Sequence, residues 1–96
     1  MDGLMMDVPL SLPALLRRAD TLFGHKPVVT RRCDRTIERR TYASCLQRAR
    51  QLGVGLAAIG VKPGDRVATF CWNHSRHLET YYGVPASGAV LHTLNI

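Results

Sequence analysis

Hydrophobic residues at helical spacing predict an amphipathic helix near the start of the chain. Between Ser11 and Gly24 they recur every three or four positions, at Leu12, Leu15, Leu16, Ala19, Leu22 and Phe23. Ser11 can serve as the N-cap, Pro13 falls in the first turn, and Gly24 follows the last apolar residue, as is typical of helix boundaries. We therefore expect a short helix with one apolar face.

The next segment, KPVVTRRCDRTIERRT, predicts a β-hairpin. Short β-branched runs lie on both sides of the turn-like pair Cys33-Asp34, a pattern typical of two strands joined by a turn. The hairpin is expected over about residues 28–40. Its strands are too polar to lie at the centre of a sheet.

A longer helix is predicted from Thr41 onward, in TYASCLQRARQLGVGLAAIG. Thr41 can cap it, and one face is apolar, with Tyr42, Leu46, Ala49, Gly53, Leu56 and Ala57. At the other end Gly60 can adopt the left-handed conformation that closes a helix. Val61 can pack back onto the last turn, and Pro63 prevents continuation.

The last third of the chain predicts a βαβ unit, which makes the fold class α/β. Two strongly apolar segments, residues 67–72 and residues 88–96 (GAVLHTLNI), are expected to be strands buried on both faces of a parallel sheet. Between them we predict a helix that starts at Asn73 or Ser75 and is broken by Pro85 and Gly88.

The two apolar strands also indicate that residues 1–96 are the incomplete N-terminal part of a larger domain. One crossover helix cannot cover both faces of such a pair, and 96 residues make one small domain at most. A hydrophobic content of 46% is too high for a disordered chain. Alone, the chain is expected to expose both strands and therefore to aggregate or to stay partly molten.

Positive charge is concentrated in residues 17–50. This segment has ten Lys or Arg residues against Asp20, Asp34 and Glu38, a net charge of +7, whereas the whole chain carries +6. Such a patch attracts nucleic acid or an anionic surface, so a free-standing basic binding module is the alternative function. The segment lacks the aromatic interleaving of single-strand binders. We therefore favour a solvated or docked arginine-rich face and expect no nucleic-acid partner.

Three potential ligands lie close together in Cys71, His74 and His77, a C-x-x-H-x-x-H pattern. A metal site would need a fourth ligand, and the paired spacings of structural zinc sites are absent. A nucleophilic pair of Cys71 and His74 lacks an identifiable oxyanion hole or orienting group. We therefore expect His74 on the loop before the helix, and His77 facing solvent or a neighbouring subdomain.

Other candidate residues are interpreted as structural. Asp65 is expected to accept backbone N–H groups in a Pro-Gly-Asp turn, and Arg66 leads into the strand. Tyr81 and Tyr82 could line a substrate pocket, but their spacing favours core packing. Neither the dinucleotide-binding pattern G-x-G-x-x-G nor the phosphate-binding pattern G-x-x-x-x-G-K-[ST] occurs.

The compartment is predicted to be cytoplasmic. The sequence contains no apolar run of about 18 residues that could span a bilayer, and its first residues lack the cations and the apolar core of a signal peptide. Three cysteines, Cys33, Cys45 and Cys71, are an odd number without C-x-x-C spacing. Reduced thiols fit this pattern better than a disulfide framework.

From the helix that begins at Leu12 to Ile96, and most clearly from Thr41 onward, the sequence resembles the N-terminal part of AMP-forming acyl-CoA synthetases, members of the adenylate-forming superfamily. The resemblance rests on Thr41-Tyr42, on GVKPGDRVA at residues 60–68, on Asn73 and on GAVLHTLNI. The segment WNHSRHLETYYGVPASGAVLHTLNI is most similar to fatty-acyl-CoA ligases of the short- and medium-chain type, including those acting on methylthio-propionate. Ser44 departs from the family, which usually has an acidic residue there to complete a capping box with Thr41.

This resemblance implies an enzyme that uses ATP and Mg²⁺ to convert a carboxylic acid into an acyl-adenylate and then transfers the acyl group to coenzyme A. By this resemblance, the phosphate loop, the nucleotide-binding motifs, the acidic magnesium ligand and the C-terminal lysine of the family are all expected beyond Ile96. We therefore assign no catalytic, cofactor-binding or metal-binding residue within these 96 positions. The chain alone is expected to be inactive and to have the rest of the synthetase as its partner.

Overall fold

A computed structural model describes residues 3–96. These residues form three helices and four short strands, numbered in chain order: α1 (Leu12–Phe23), β1 (Pro27–Arg31), β2 (Ile37–Thr41), α2 (Tyr42–Ala58), β3 (Arg66–Thr69), α3 (Ser75–Ala86) and β4 (Val90–Thr93). β1 and β2 pair antiparallel, and β3 pairs parallel with β4 in a separate sheet. The predicted α/β class, with a hairpin, amphipathic helices and a βαβ unit, is confirmed.

The hairpin turns where Cys33-Asp34 predicted it. The carboxylate of Asp34 accepts the backbone N–H of Thr36 at 3.0 Å and its hydroxyl at 2.6 Å. These two bonds lower the pKa of Asp34, the hydroxyl contributing more than the backbone. Arg35 completes the turn with φ of 68°.

Both ends of α2 are closed as predicted. The hydroxyl of Thr41 accepts the backbone N–H of Ser44 at 3.2 Å, so the cap forms without the acidic residue that is usual at position 44. At the other end Gly60 has φ of 99°. Its N–H bonds to Ala57, and the N–H of Val61 bonds to Leu56, which together form a Schellman motif.

The turn before β3 also has its predicted structure. The carboxylate of Asp65 accepts the backbone N–H of Lys62 at 2.8 Å, and the N–H of Asp65 donates to the carbonyl of Lys62. Proline at the second position of such a turn presets its backbone. Asp65 therefore has the structural role expected of it.

The predicted βαβ unit forms, although some of its element boundaries differ from the prediction. α3 starts at Ser75, one of the two predicted starts, with His74 as its N-cap, and the helix continues through Pro85 to Ala86, two residues before Gly88. Pro85 is tolerated because it lies in the last turn, where it removes only one helical hydrogen bond and the chain is about to leave the helix. β3 and β4 are also shorter than predicted, at four residues each.

The core lies between α2 and α3 and is small. Its buried apolar residues are Cys45, Leu46, Ala49, Val84 and Ala89. The two helices approach closely at Gly83, where a Cβ atom would stand 2.6 Å from the carbonyl oxygen of Ala49. Only glycine allows this backbone contact without displacement.

The parallel strands are largely exposed among residues 3–96, as predicted for this chain alone, and the burial on both faces that was predicted for a complete sheet is not formed within these residues. Phe70 and Trp72, just after β3, are 70% and 68% exposed, and Val90 in β4 is also exposed. The physical reason is that a single helix covers only one face of a two-stranded sheet. The same argument led us to predict an incomplete domain from the sequence. Within this part of the chain no helix is long and apolar enough to cross a membrane.

Candidate functional site

A cleft of about 330 Å³ lies at the carboxyl edge of the parallel strand pair. Its lining comes from the loop after β3, the first turns of α3 and the end of the chain after β4: Cys71, Trp72, Asn73, His77, Tyr81, Thr93, Leu94, Asn95 and Ile96. Ligands of open α/β sheets bind outside the carboxyl ends of the strands. We therefore take this carboxyl-edge cleft as the candidate site.

His77 is the most buried polar group of the carboxyl-edge cleft. The residue is 5% exposed, and its Nε2 lies 3.0 Å from the Thr69 hydroxyl while its Nδ1 lies 3.2 Å from Oδ1 of Asn73. Its ring also packs against Tyr81, with centroids 4.8 Å apart. Of the two predicted surroundings of His77, solvent is wrong, because the first turn of α3 packs onto the end of β3.

His74 lies before α3 as expected, and its Nδ1 accepts the backbone N–H of His77 at 3.4 Å. Among residues 3–96 no hydrogen bond joins Cys71 to His74, and no group of three or more His, Cys, Asp or Glu side chains is placed to hold a metal ion. The lining of the carboxyl-edge cleft contains no Asp, Glu, Lys or Arg. It therefore offers neither carboxylate ligands for Mg²⁺ nor a cation for a triphosphate.

A second cavity, of about 380 Å³, lies between the three helices and the hairpin. Its walls are mostly apolar and include Leu16 of α1, Cys45 of α2 and Tyr82 of α3. Burial, and then the neighbouring carboxylate of Glu79, raise the pKa of the Cys45 thiol above its ordinary value.

Tyr81 is 43% exposed, so the prediction of core packing is wrong for it.

Four of the ten Lys and Arg residues in residues 17–50 form ion pairs: Arg32, Arg40, Arg48 and Arg50. Glu79, only 6% exposed, is the acceptor for Arg48 at 2.8 Å and lies 3.7 Å from Arg40. Arg40 also binds Glu38, which in turn binds Arg32 at 3.0 Å. The Arg40 and Arg32 hydrogen bonds lower the pKa of Glu38.

This network, which we call the Glu79 network, joins β2, α2 and α3. A further pair links Arg50 of α2 to Asp20 of α1 at 2.6 Å. Sequence reasoning missed Glu79, since it lies 31 positions from Arg48 and outside the basic segment. Several of the arginines thus hold the fold together, which agrees with a docked arginine-rich face.

Comparison with known proteins gives a consistent family. A model of the family described as AMP-binding enzyme matches residues 16–96. A long-chain-fatty-acid–CoA ligase of Thermus thermophilus is 56% identical over 95% of this chain, and a medium-chain-fatty-acid–CoA ligase of Ectopseudomonas oleovorans is 38% identical over 97%. This chain spans 17% of the length of each of these two relatives.

Solved structures show the same fold. The N-terminal domain of FACL13 from Mycobacterium tuberculosis superposes with a TM-score of 0.79 at 26% identity, over 91% of this chain and 22% of that one. A fatty acyl-adenylate ligase from L. pneumophila, solved with acyl adenylate and pyrophosphate, gives a TM-score of 0.77 at 25% identity, over 88% of this chain and 15% of that one. The architecture is therefore that of the N-terminal region of adenylate-forming enzymes.

Proposed function

The chain belongs to the family of AMP-binding enzymes, and from this premise we propose that residues 1–96 are the N-terminal part of a fatty-acid–CoA ligase. In the proposed reaction, an oxygen of the carboxylic acid attacks the α-phosphorus of ATP and pyrophosphate leaves. The sulfur of coenzyme A then attacks the carbonyl carbon of the acyl-adenylate, loses its proton and displaces AMP. Two steps are needed because a carboxylate is a poor electrophile, whereas AMP is a good leaving group.

The observation that carries this proposal is the 56% identity to the Thermus thermophilus ligase across almost the whole chain. The medium-chain ligase and a 3-methylmercaptopropionyl-CoA ligase of Ruegeria lacuscaerulensis, 37% identical, support the same class of reaction with different acids. We therefore propose a fatty acid as the substrate, with ATP, Mg²⁺ and coenzyme A as the other participants, in the cytoplasm.

The proposed role of this segment is to serve as a framework for the rest of the enzyme. The lining of the carboxyl-edge cleft contains no Asp, Glu, Lys or Arg, and no group of His, Cys, Asp or Glu side chains in the described part of the chain is placed to hold a metal ion. We propose that the groups that bind ATP, Mg²⁺ and coenzyme A come from other segments of the ligase. A free-standing basic binding module has no support, because four of the arginines in residues 17–50 bind carboxylates within the fold.

A chimera tests the proposal directly. The segment of the Thermus thermophilus ligase that matches this chain is replaced by residues 1–96, and ATP–pyrophosphate exchange and acyl-CoA formation are measured with fatty acids of several lengths. We expect activity that depends on the fatty acid and on coenzyme A. The 96-residue chain without the remainder is expected to give none.

Two results would contradict the proposal. One is a chimera that is folded by circular dichroism and unfolds cooperatively but neither exchanges pyrophosphate nor forms acyl-CoA. The other is exchange catalysed by the 96 residues alone. Sequencing the gene past the Ile96 codon gives an independent check, since a frame encoding a Ser/Thr/Gly-rich phosphate loop is expected there.

A further inference from the structure

The loop between β3 and α3, residues 70–73, is fixed by side chains. Outside the helices and strands of the described chain, no backbone–backbone hydrogen bond involves these four residues. The two aromatic residues of the loop are largely exposed, so packing does not hold them in place. The His77 ring bonds to Thr69, which precedes the loop, and to Asn73, which ends it.

The chemistry of the two partners assigns the tautomer of His77. Oδ1 of Asn73 has no hydrogen and can only accept, so Nδ1 of His77 is the donor at 3.2 Å. In the neutral ring Nε2 then accepts from the Thr69 hydroxyl at 3.0 Å. Because Oδ1 is engaged, both amide hydrogens of Asn73 remain available toward the carboxyl-edge cleft that this residue lines.

We propose that His77 is a positioning residue of the ligase. Its Nδ1–H holds Asn73 and so sets where Trp72 and the Asn73 amide stand along the carboxyl-edge cleft. The inference rests on the proposed function for its effect on activity. Loops that follow parallel strands carry the binding groups of α/β enzymes, and a displacement of about 1 Å in such a group is enough to lower a rate by about 100-fold.

Two half-isosteres of histidine separate the two bonds. Asparagine places an amide N–H near the position of Nδ1, so His77→Asn keeps the bond to Asn73 and loses the one to Thr69. Glutamine reaches the position of Nε2, so His77→Gln keeps Thr69 and loses Asn73. Asn73→Ala removes the same anchor from the exposed side, where folding is not threatened.

In the chimera we expect His77→Gln and Asn73→Ala each to lower kcat/KM by about tenfold. Their double variant should be no worse than either, because both remove the same bond. His77→Asn should stay within about twofold of the parent. The matched control is Thr80→Val, which removes hydrogen bonds from the same helix to the carbonyls of Arg76 and His77 without touching the loop.

A spectroscopic measurement tests the geometry without activity. In the ¹⁵N-labelled chimera, the His77 imidazole is expected to show a protonated Nδ1 and an unprotonated Nε2, and Asn73→Ala should abolish that preference. A ring protonated at Nε2, or equal kinetics for His77→Gln and His77→Asn in an active chimera, would overturn the inference. If the parent chimera is inactive, the proposed function fails and the nitrogen spectrum alone decides the role of His77.

Discussion

The contact between α2 and α3 at Gly83 leads to a prediction whose sign is fixed by the structure. In Gly83→Ala the new methyl group would stand 2.6 Å from the carbonyl oxygen of Ala49 and 3.2 Å from Leu52 Cδ2. The nearest of these atoms is backbone, so the helices must separate, and overpacking of this kind costs typically about 1–3 kcal/mol. Alanine recovers about 1 kcal/mol through its higher helix propensity. Because the nearest atom belongs to the backbone and cannot move aside easily, we take the upper end of this range, about 3 kcal/mol, and expect Gly83→Ala to lower the free energy of unfolding by about 2 kcal/mol net.

The matched control is Gly55→Ala in α2. Its new methyl group meets nothing within 4 Å, so only the propensity gain remains, and we expect stabilisation of about 0.5–1 kcal/mol. The assay is amide hydrogen exchange of α2 and α3 in the chimera, read by mass spectrometry. Gly83→Ala should speed exchange by about 30-fold, which is what 2 kcal/mol corresponds to. The reasoning is refuted if Gly83→Ala protects these helices as well as Gly55→Ala does.

Three further predictions concern charged groups and thiols. Glu79→Gln leaves Arg48 and Arg40 without their buried carboxylate and should destabilise the fold by about 1–3 kcal/mol in urea unfolding. The control Asp20→Asn removes a more exposed ion pair and should cost under about 1 kcal/mol. Equal losses in the two variants would contradict the argument from burial. The pKa of Glu38 is lowered in the folded state from its ordinary value of 4.5. The stability that Glu38 contributes is therefore fully present above pH 4.5 and is lost as the pH falls through the lowered pKa. When the free energy of unfolding is measured against pH, Glu38→Gln should reduce the loss of stability at acid pH, and an unchanged loss would contradict the assignment. Burial raises the pKa of the Cys45 thiol, whereas Cys33 is exposed. Iodoacetamide at pH 8 should therefore alkylate Cys33 before Cys45, and peptide mass spectrometry measures the two rates. Faster labelling of Cys45 would count against its burial.

The features that could be predicted from the sequence are those whose partners are close in the chain. The Thr41 cap bonds to a residue three positions away, the Gly60 closure uses carbonyls of the preceding turn, and Asp65 bonds to Lys62. In each case both partners lie in one short window, and side-chain type alone restricts the backbone. The element order could therefore be predicted, although the ends of the strands could not.

The candidate site could not be predicted in the same way. His77 looks like a surface residue in a polar helical turn, and its burial depends on Thr69, the last residue of β3, lying against it. Glu79 has no sequence signal either, since its partners are on two other elements. A buried polar group is recognisable only when the tertiary fold brings its hydrogen-bond partners to it.

The hydrogen-bonded buried polar groups and the exposed apolar residues of this chain lie in different parts of the fold. Among residues 3–96 every buried side-chain nitrogen or oxygen has a hydrogen-bond partner, and the Glu79 network ties the hairpin and two helices into one unit. The β3–β4 sheet is different, since Val90 in β4 and Phe70 and Trp72 just after β3 are exposed although the two strands pair in register. Polar contacts therefore complete the helical half internally, while the apolar faces of the sheet call for further protein, as the proposed position at the start of a longer ligase requires. The Asn73–His77 hydrogen bond lies where these two halves meet. It can therefore hold the loop at the edge of the sheet in a fixed position relative to the helices.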